Sequence, residues 1–178
     1  FAEIFDADDE LVALATVLTM VQKKQTTLVE MTEDKIQECL DALEADVKPK
    51  WGIMTPQHMV EHLEYTYRIA SGEIQDFEVA TPEKILEKVR NSLYNYKPFP
   101  QGSDFPLLKK GELAGLQYEN LTEAISKFKA ARQNYLDHFK EHSDAVFNNI
   151  VFGELNKYEW YLLERKHLNH HFEQFNLL

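Results

Sequence analysis

Apolar residues recur with helical spacing in several stretches of the chain from residue 32 onward. Thr32 is a residue type that caps helix N-termini, and one-turn spacing follows it in Ile36, Cys39, Leu40 and Leu43. A second stretch, "TPQHMVEHLEYTYRIASG", has a threonine cap, a proline at the first helical position and a closing glycine. These patterns predict one helix after Thr32 and a second over 56–71.

Two asparagines predict the starts of two longer helices. Asn120 with Glu123, and Asn156 with Glu159, have the three-residue spacing of a capping box. They predict helices near 121–142 and 157–177. About fifty residues separate the second and third main helices. They include a minor helix at "TPEKILEKV" and a Pro- and Gly-containing loop, "NYKPFPQGSDFP". The prediction is a mainly α four-helix bundle with a long crossover between helices 2 and 3.

The first 24 residues have a different pattern. "FAEIF" and "ELVALATVLTMV" flank the turn-like "DADD", and the second run is rich in β-branched residues. A short β-hairpin over 1–24 is expected, followed by the bundle over 25–178. A buried helix remains an alternative because both faces of the run are apolar. Since a lone hairpin would leave an edge unpaired, strand pairing between two copies predicts a homodimer.

Composition and charge narrow the function classes. The 178 residues are 44% hydrophobic with a net charge of −11, so the chain should fold and should repel nucleic acid and anionic membranes. Cys39 is the single cysteine, and no apolar run approaches about 18 residues. A cytoplasmic location is expected. The first residue is Phe1 rather than methionine, which leaves open that the chain is a piece of a longer protein.

The candidate chemistry is a set of histidines on two helices. His167 and His171 are four residues apart and share the core-facing stripe of the last helix, while His62 borders the buried stripe of the second. If these stripes pack together, three imidazoles meet. Neutral imidazole suits zinc, nickel, iron and copper, and three ligands leave a position for water or substrate.

The alternative interpretation is that the four-residue spacing of these histidines arises by chance and has no functional meaning. The chain contains three H-x-x-x-H pairs: His58/His62, His138/His142 and His167/His171. The middle pair is near a helix end, where protonated histidine complements the helix dipole, so a structural role is expected.

Two residues within one turn of a proposed ligand are candidates for catalysis. Glu164 precedes His167 by three residues and Tyr65 follows His62 by three. Each could transfer protons. For Glu164, a solvated salt bridge is the simpler interpretation.

The closing helix resembles a known signature. "HLNHHFEQF" is similar to the H-x-x-x-H-x-x-Q pattern of the DinB-like superfamily, and "MTPQHMVEHL" resembles its helix-two ligand segment. An uncharacterised bacterial family with the ending H-L-x-H-H-x-x-Q-F is most similar. The resemblance implies a divalent metal, zinc or nickel first, held by His62, His167 and His171. Gln174, His170 and His58 would support these ligands. The His-Pro that we associate with that family before F-G is replaced here by Asn149-Ile150-Val151.

The sequence resemblances indicate the reaction less precisely than they indicate the metal site. The superfamily includes metal-dependent thiol S-transferases, maleylpyruvate isomerase-like enzymes and members without known activity. Separately, "FDADDELVALATVLTMVQKK" resembles the end of a MaoC-like hot-dog hydratase, a domain fused in oxepin-CoA hydrolases of phenylacetate degradation. The resemblances imply a metal-dependent hydrolase or transferase for a small substrate, including thiol- or CoA-linked ones. The alternative is a catalytically silent helical interaction or oligomerisation module.

Overall fold

The computed structural model describes residues 28–102, 109 and 111–178, and in these residues the chain is mainly helical, as predicted. The helices are α1 (Glu33–Asp41), α2 (Pro56–Ala70), α3 (Glu83–Asn91), α4 (Leu121–Glu141) and α5 (Lys157–Gln174). A 3-10 turn, Ser92–Tyr94, extends α3, and the antiparallel strands β1 (Val146–Asn149) and β2 (Gly153–Asn156) lie between α4 and α5. The hairpin predicted over 1–24, and the dimer that depends on it, lie outside the described residues.

The predicted caps begin four of these helices. Each side-chain oxygen accepts a backbone N–H of the first helical turn, at Thr32, Thr55, Asn120 and Asn156. Asn156 and Glu159 form both arms of a capping box. At α4 only one arm forms, because the Glu123 carboxylate accepts from the backbone N–H of Glu119. Local side chains therefore fix where the long helices start.

The predicted helix ends were less accurate. Helix α5 ends at Gln174, three residues before the expected end, and Asn176 adopts a left-handed conformation with φ of 59°. Leu178 is consequently outside the buried stripe and 37% exposed. Helix α1 ends at Asp41, so Leu43 is buried from the segment that follows the helix.

The β-hairpin between α4 and α5 was not predicted. Val146 pairs with Asn156, and Asn149 pairs with Gly153 across the loop. Helix α2 packs against β1 at its C-terminal end. There Gly72, with φ of +77°, leaves space for the ring of Phe147 that a Cβ atom would occupy. The hairpin thus forms one wall of a cleft that residues of α2 and α5 also line.

The hydrophobic core lies between the long helices, and α2 packs along α4. Its largest buried members come from α2, α4, α5 and β2 and include Met59, Leu63, Phe128, Leu155, Trp160, Leu168 and Phe172. Among the described residues, none of the helices combines the length and apolarity that crossing a membrane would require.

Candidate metal centre

Three histidine side chains from α2 and α5 converge in the structure. His62 Nε2 is 2.9 Å from His167 Nε2, which is 3.1 Å from His171 Nε2. All three candidate ligand atoms lie within 4.8 Å of one another. Four-residue spacing stacks two of these rings on one face of α5, and packing of α2 supplies the third. We call these residues the histidine cluster.

A hydrogen-bond chain fixes the tautomer of His171. Gln174 Nε2 donates to the carbonyl oxygen of Trp51 at 2.8 Å, so its Oε1 must face His171 Nδ1, 2.9 Å away. That oxygen accepts a proton from Nδ1, which leaves the lone pair of His171 on Nε2, toward the cluster. A Cβ atom at Gly52 would lie only 3.1 Å from Gln174 Nε2, so the glycine leaves room for this side chain. Gly52 also has a φ of +77°.

The histidine cluster is held in its neutral form by its surroundings. Desolvation lowers the pKa of His62 to about 4, and the nearby His170 acts in the same direction. Desolvation, reinforced by the neighbouring histidines, also keeps the pKa values of His167 and His171 well below the ordinary value. Neutral imidazoles keep a lone pair, which is the form that binds metal.

Two clefts reach the histidine cluster. The apolar cleft, with a volume of about 350 Å³, is bounded by α2, α3, the Phe99–Pro100 segment and the β1–β2 hairpin, and all three cluster histidines line it. The second cleft is bounded by the Trp51–Met54 segment and α2, and it contains Glu61 and Glu64. His62 and His171 line both clefts. A ligand could therefore reach the cluster from outside.

Of the residues predicted to support the ligands, Gln174 and His170 touch the cluster. The His170 ring packs on His171 with centroids 5.0 Å apart, and on Trp51 at 5.4 Å. His58 is placed differently, because its Nδ1 is 2.6 Å from Thr55 Oγ1 at the start of α2. It lines the second cleft, one turn before His62.

The two predicted catalytic candidates have contrasting environments. Tyr65 is half-buried and lines both clefts. Glu164 is instead held in the interior, where its Oε1 accepts from Tyr67 Oη at 2.8 Å and from Arg132 Nε at 2.9 Å. We call Glu164, Arg132 and Tyr67 the ion-pair cluster. The structure therefore gives Glu164 a structural partner and leaves Tyr65 facing the two clefts.

Electrostatics stabilise the ion-pair cluster in one protonation state. Burial opposes the charge of Arg132, but the Glu164 carboxylate, through its charge and its hydrogen bond, helps to raise the pKa of Arg132 above the ordinary value. Burial and then the Glu164 charge raise the pKa of the Tyr67 hydroxyl well above its usual range. The tyrosine stays protonated and donates, and the guanidinium stays charged.

The His138/His142 pair remains apart from the histidine cluster. Its rings are 4.9 Å apart at the C-terminal end of α4, and His138 packs against Phe147 at 5.0 Å. No third ligand joins them among the described residues. The structural role expected from the sequence stays a prediction.

Several residues that shape the site were not found from the sequence. Trp51 contributes only a carbonyl oxygen and a ring face, so no ligand spacing marks it. Phe99 packs 6.4 Å from the His167 ring from inside the predicted loop. The available signal for the hairpin was the short apolar run "AVFNNIVF" followed by Gly153; the two asparagines lie in β1, and residues 150–152 form the loop between the strands.

No family model matches this chain, and no curated protein or solved structure matches it at a significant level. The DinB-like and MaoC-like resemblances therefore stay predictions.

Proposed function

We propose that this protein is a metal-dependent enzyme of the DinB-like superfamily, a four-helix bundle that holds a divalent ion between His62, His167 and His171. One observation carries the proposal: three imidazole nitrogens from two helices meet at one point, and a Gln174–Trp51 hydrogen-bond chain turns the lone pair of His171 toward it. A directed lone pair on one of three converging imidazoles, at the mouth of two clefts, supports a metal site.

The spacing of the nitrogens suits a zinc-sized ion. Nitrogen ligands about 2.0–2.1 Å from a tetrahedral zinc ion are about 3.3 Å from one another. Two of the observed separations, 2.9 and 3.1 Å, are within a few tenths of that value. The three ligand atoms lie within 4.8 Å of one another, so His62 and His171 would have to move closer together around a zinc ion. Neutral imidazole ligands favour zinc or nickel over magnesium and calcium, which prefer oxygen. Three ligands also leave a coordination position for water or substrate.

The residues around the proposed metal site would have different roles. A bound divalent ion would supply Lewis acidity, either to a carbonyl or to a water molecule. Gln174 would orient His171, and the rings of His170 and Phe99 would limit water access. Tyr65 is our choice for the residue that touches the substrate, because Glu164 is already paired with Arg132. Hydrolysis or thiol-dependent transfer on a small substrate is the proposed reaction class.

A connection with CoA-thioester catabolism is part of the same proposal. It rests on the MaoC-like resemblance of residues 5–24, which would place this protein beside a thioester hydratase. The Ser92, Phe99 and hairpin walls of the apolar cleft would contact the acyl part of such a substrate rather than its charged nucleotide.

Elemental analysis of tag-free protein, followed by X-ray absorption after zinc loading, tests the metal. We expect about one zinc per chain with three nitrogen neighbours at about 2.0–2.1 Å. His171→Ala should lose the zinc, and His138→Ala, the same change in the pair on α4, should keep it. Zinc-dependent hydrolysis of p-nitrophenyl esters and acyl thioesters then tests the enzyme. Equal zinc content in both variants would refute the site; bound zinc without turnover of any ester or thioester would refute the hydrolase.

A further inference from the structure

The apolar cleft has walls of one chemical character. Most of its apolar side chains come from α2, α3, the segment after the 3-10 turn and the hairpin loop, and they include Ile69, Val89, Phe99, Ile150, Val151 and Phe152. Among the described residues, no lysine, arginine, aspartate or glutamate lines it. The net charge of the chain is −11, yet this cleft carries none of the acidic side chains. A charged ligand group would find no counter-charge on these walls.

Apart from Tyr65, which lies one turn after His62, and the histidines themselves, the polar side chains of the walls are engaged with the backbone. Thr66 Oγ1 donates to the carbonyl of His62 at 3.0 Å, and Ser92 Oγ donates to the carbonyl of Val89 at 2.6 Å. Asn149 Oδ1 accepts from the backbone N–H groups of Val151 at 2.9 Å and Phe152 at 3.1 Å. These bonds shape the hairpin loop and leave the walls to make mainly apolar contacts. Polar recognition is concentrated at the histidine cluster.

We infer that the apolar cleft binds an uncharged aliphatic or aromatic group, whose attached polar atom lies against the histidine cluster. The orientation of that polar atom rests on the proposed metal site, but burial of the apolar group does not. Ligand pockets commonly span about 300–1,000 Å³, and a cavity of about 350 Å³ is at the small end. The cleft therefore suits an acyl chain of moderate length or one or two rings, and excludes a charged nucleotide.

Val151 offers a direct test of the cleft. It is half-buried in the loop between β1 and β2 and lines the cleft, whereas Val146 is on the same hairpin, is 50% exposed and is not a lining residue. Val151→Phe should fill part of the cavity, and Val146→Phe is the matched control. The probe is N-phenyl-1-naphthylamine, an uncharged dye that fluoresces in apolar surroundings. Overpacking should weaken its binding at least about fivefold in Val151→Phe and leave it within about twofold in Val146→Phe.

A second measurement needs no variant. Zinc-loaded wild-type protein is titrated with straight-chain hydroxamic acids of increasing length, which bind metal through the same head group. Each added methylene should strengthen binding about fourfold until the cleft is filled. A terminal carboxylate on a chain of equal length should remove most of that gain, because the walls provide no cation.

The outcomes separate this inference from the proposed function. If zinc does not bind, the proposed function fails, and the dye still tests the cleft in metal-free protein. If zinc binds but the hydroxamate affinities do not change with chain length, the cleft assignment fails while the metal site stands. Equal dye binding by wild type, Val151→Phe and Val146→Phe would likewise overturn it. Unfolding midpoints of both variants show whether a lost signal reflects the cleft or the fold.

Discussion

Two polar clusters lie one turn apart along α5, and they differ in how their polar atoms are satisfied. In the ion-pair cluster a carboxylate, a guanidinium and a hydroxyl neutralise one another inside the protein. In the histidine cluster three neutral rings direct nitrogen atoms at a shared point that two clefts reach. A closed, mutually satisfied cluster serves the fold, whereas an open cluster of neutral imidazole nitrogens agrees with the proposed cation site.

The contrast also separates stability from function. A buried charge that loses its partner is strongly destabilising, since desolvation is no longer compensated. A neutral imidazole that loses its neighbour leaves a polar group beside an open cleft, where solvent can replace the contact. We therefore expect the largest stability effects at the ion-pair cluster and the largest ligand effects at the histidine cluster.

The largest expected effect follows removal of the charge on Arg132. Arg132→Met should lower the free energy of unfolding by about 3–5 kcal/mol, because Glu164 would remain as a buried, unpaired carboxylate. Adding Glu164→Gln, which keeps an acceptor for Tyr67, should restore at least half of the loss. Urea unfolding measures both. Lys129→Met, an exposed change on the same helix, is the control and should alter stability by less than about 0.5 kcal/mol.

An equally small loss in Arg132→Met and Lys129→Met would mean that the ion pair does not stabilise the fold. The ion-pair cluster would then have no structural role, and a proton-transfer role for Glu164 would again be open.

The second effect is the loss of metal-linked stability in the histidine cluster. At a free zinc concentration about 100 times its dissociation constant, wild-type protein should gain about 2.7 kcal/mol over metal-free protein. His171→Ala should stay folded and lose this gain, and His138→Ala should keep it. Urea unfolding with zinc and with chelator gives both numbers. Loss of the helical circular dichroism of His171→Ala at room temperature would show instead that the cluster is structural.

A smaller effect is expected at the residue that orients His171. Gln174→Met removes the oxygen that accepts from Nδ1, so the lone pair on Nε2 is no longer fixed. Zinc affinity should fall about tenfold, near the low end of the losses typical of such supporting residues. Competition with a chromophoric chelator measures it. Gln133→Met, on the exposed face of α4, is the matched control, and an equal affinity in both variants would contradict the orienting role.

Much of the fold was readable from local signals. Thr32, Thr55, Asn120 and Asn156 cap the helices that they were predicted to cap, because a cap is a contact within three residues. The hairpin was missed because each strand is only four residues long, and β1 does not alternate between buried and exposed residues, although β2 does. The early end of α5 depends on the left-handed Asn176, which helical periodicity does not register.

The histidine cluster could be proposed from spacing, but its distinction from the other pair could not be derived that way. His138/His142 has the same four-residue spacing as His167/His171. What separates them is tertiary: His62 approaches one pair, and Phe147 covers the other. The sequence did not indicate the partner of Glu164 either, because Arg132 is 32 residues away on another helix. Long-range packing decided the role of each polar residue.

The smallest expected effect concerns the exposed arm of the Arg132 interactions. Arg132 Nη1 also donates to the carboxylate of Glu33 in the first turn of α1, but the Glu33 side chain is 74% exposed, so solvent screens the pair. Glu33→Gln should lower the free energy of unfolding by only about 0.2–1 kcal/mol more than Asp34→Asn. The control, Asp34→Asn, removes an exposed charge from the same helical turn, so it cancels the helix-dipole contribution. Urea unfolding at low and high salt measures the difference, which should shrink as salt rises. A salt-independent loss as large as that of Arg132→Met would show that the exposed arm, and not Glu164, neutralises the guanidinium.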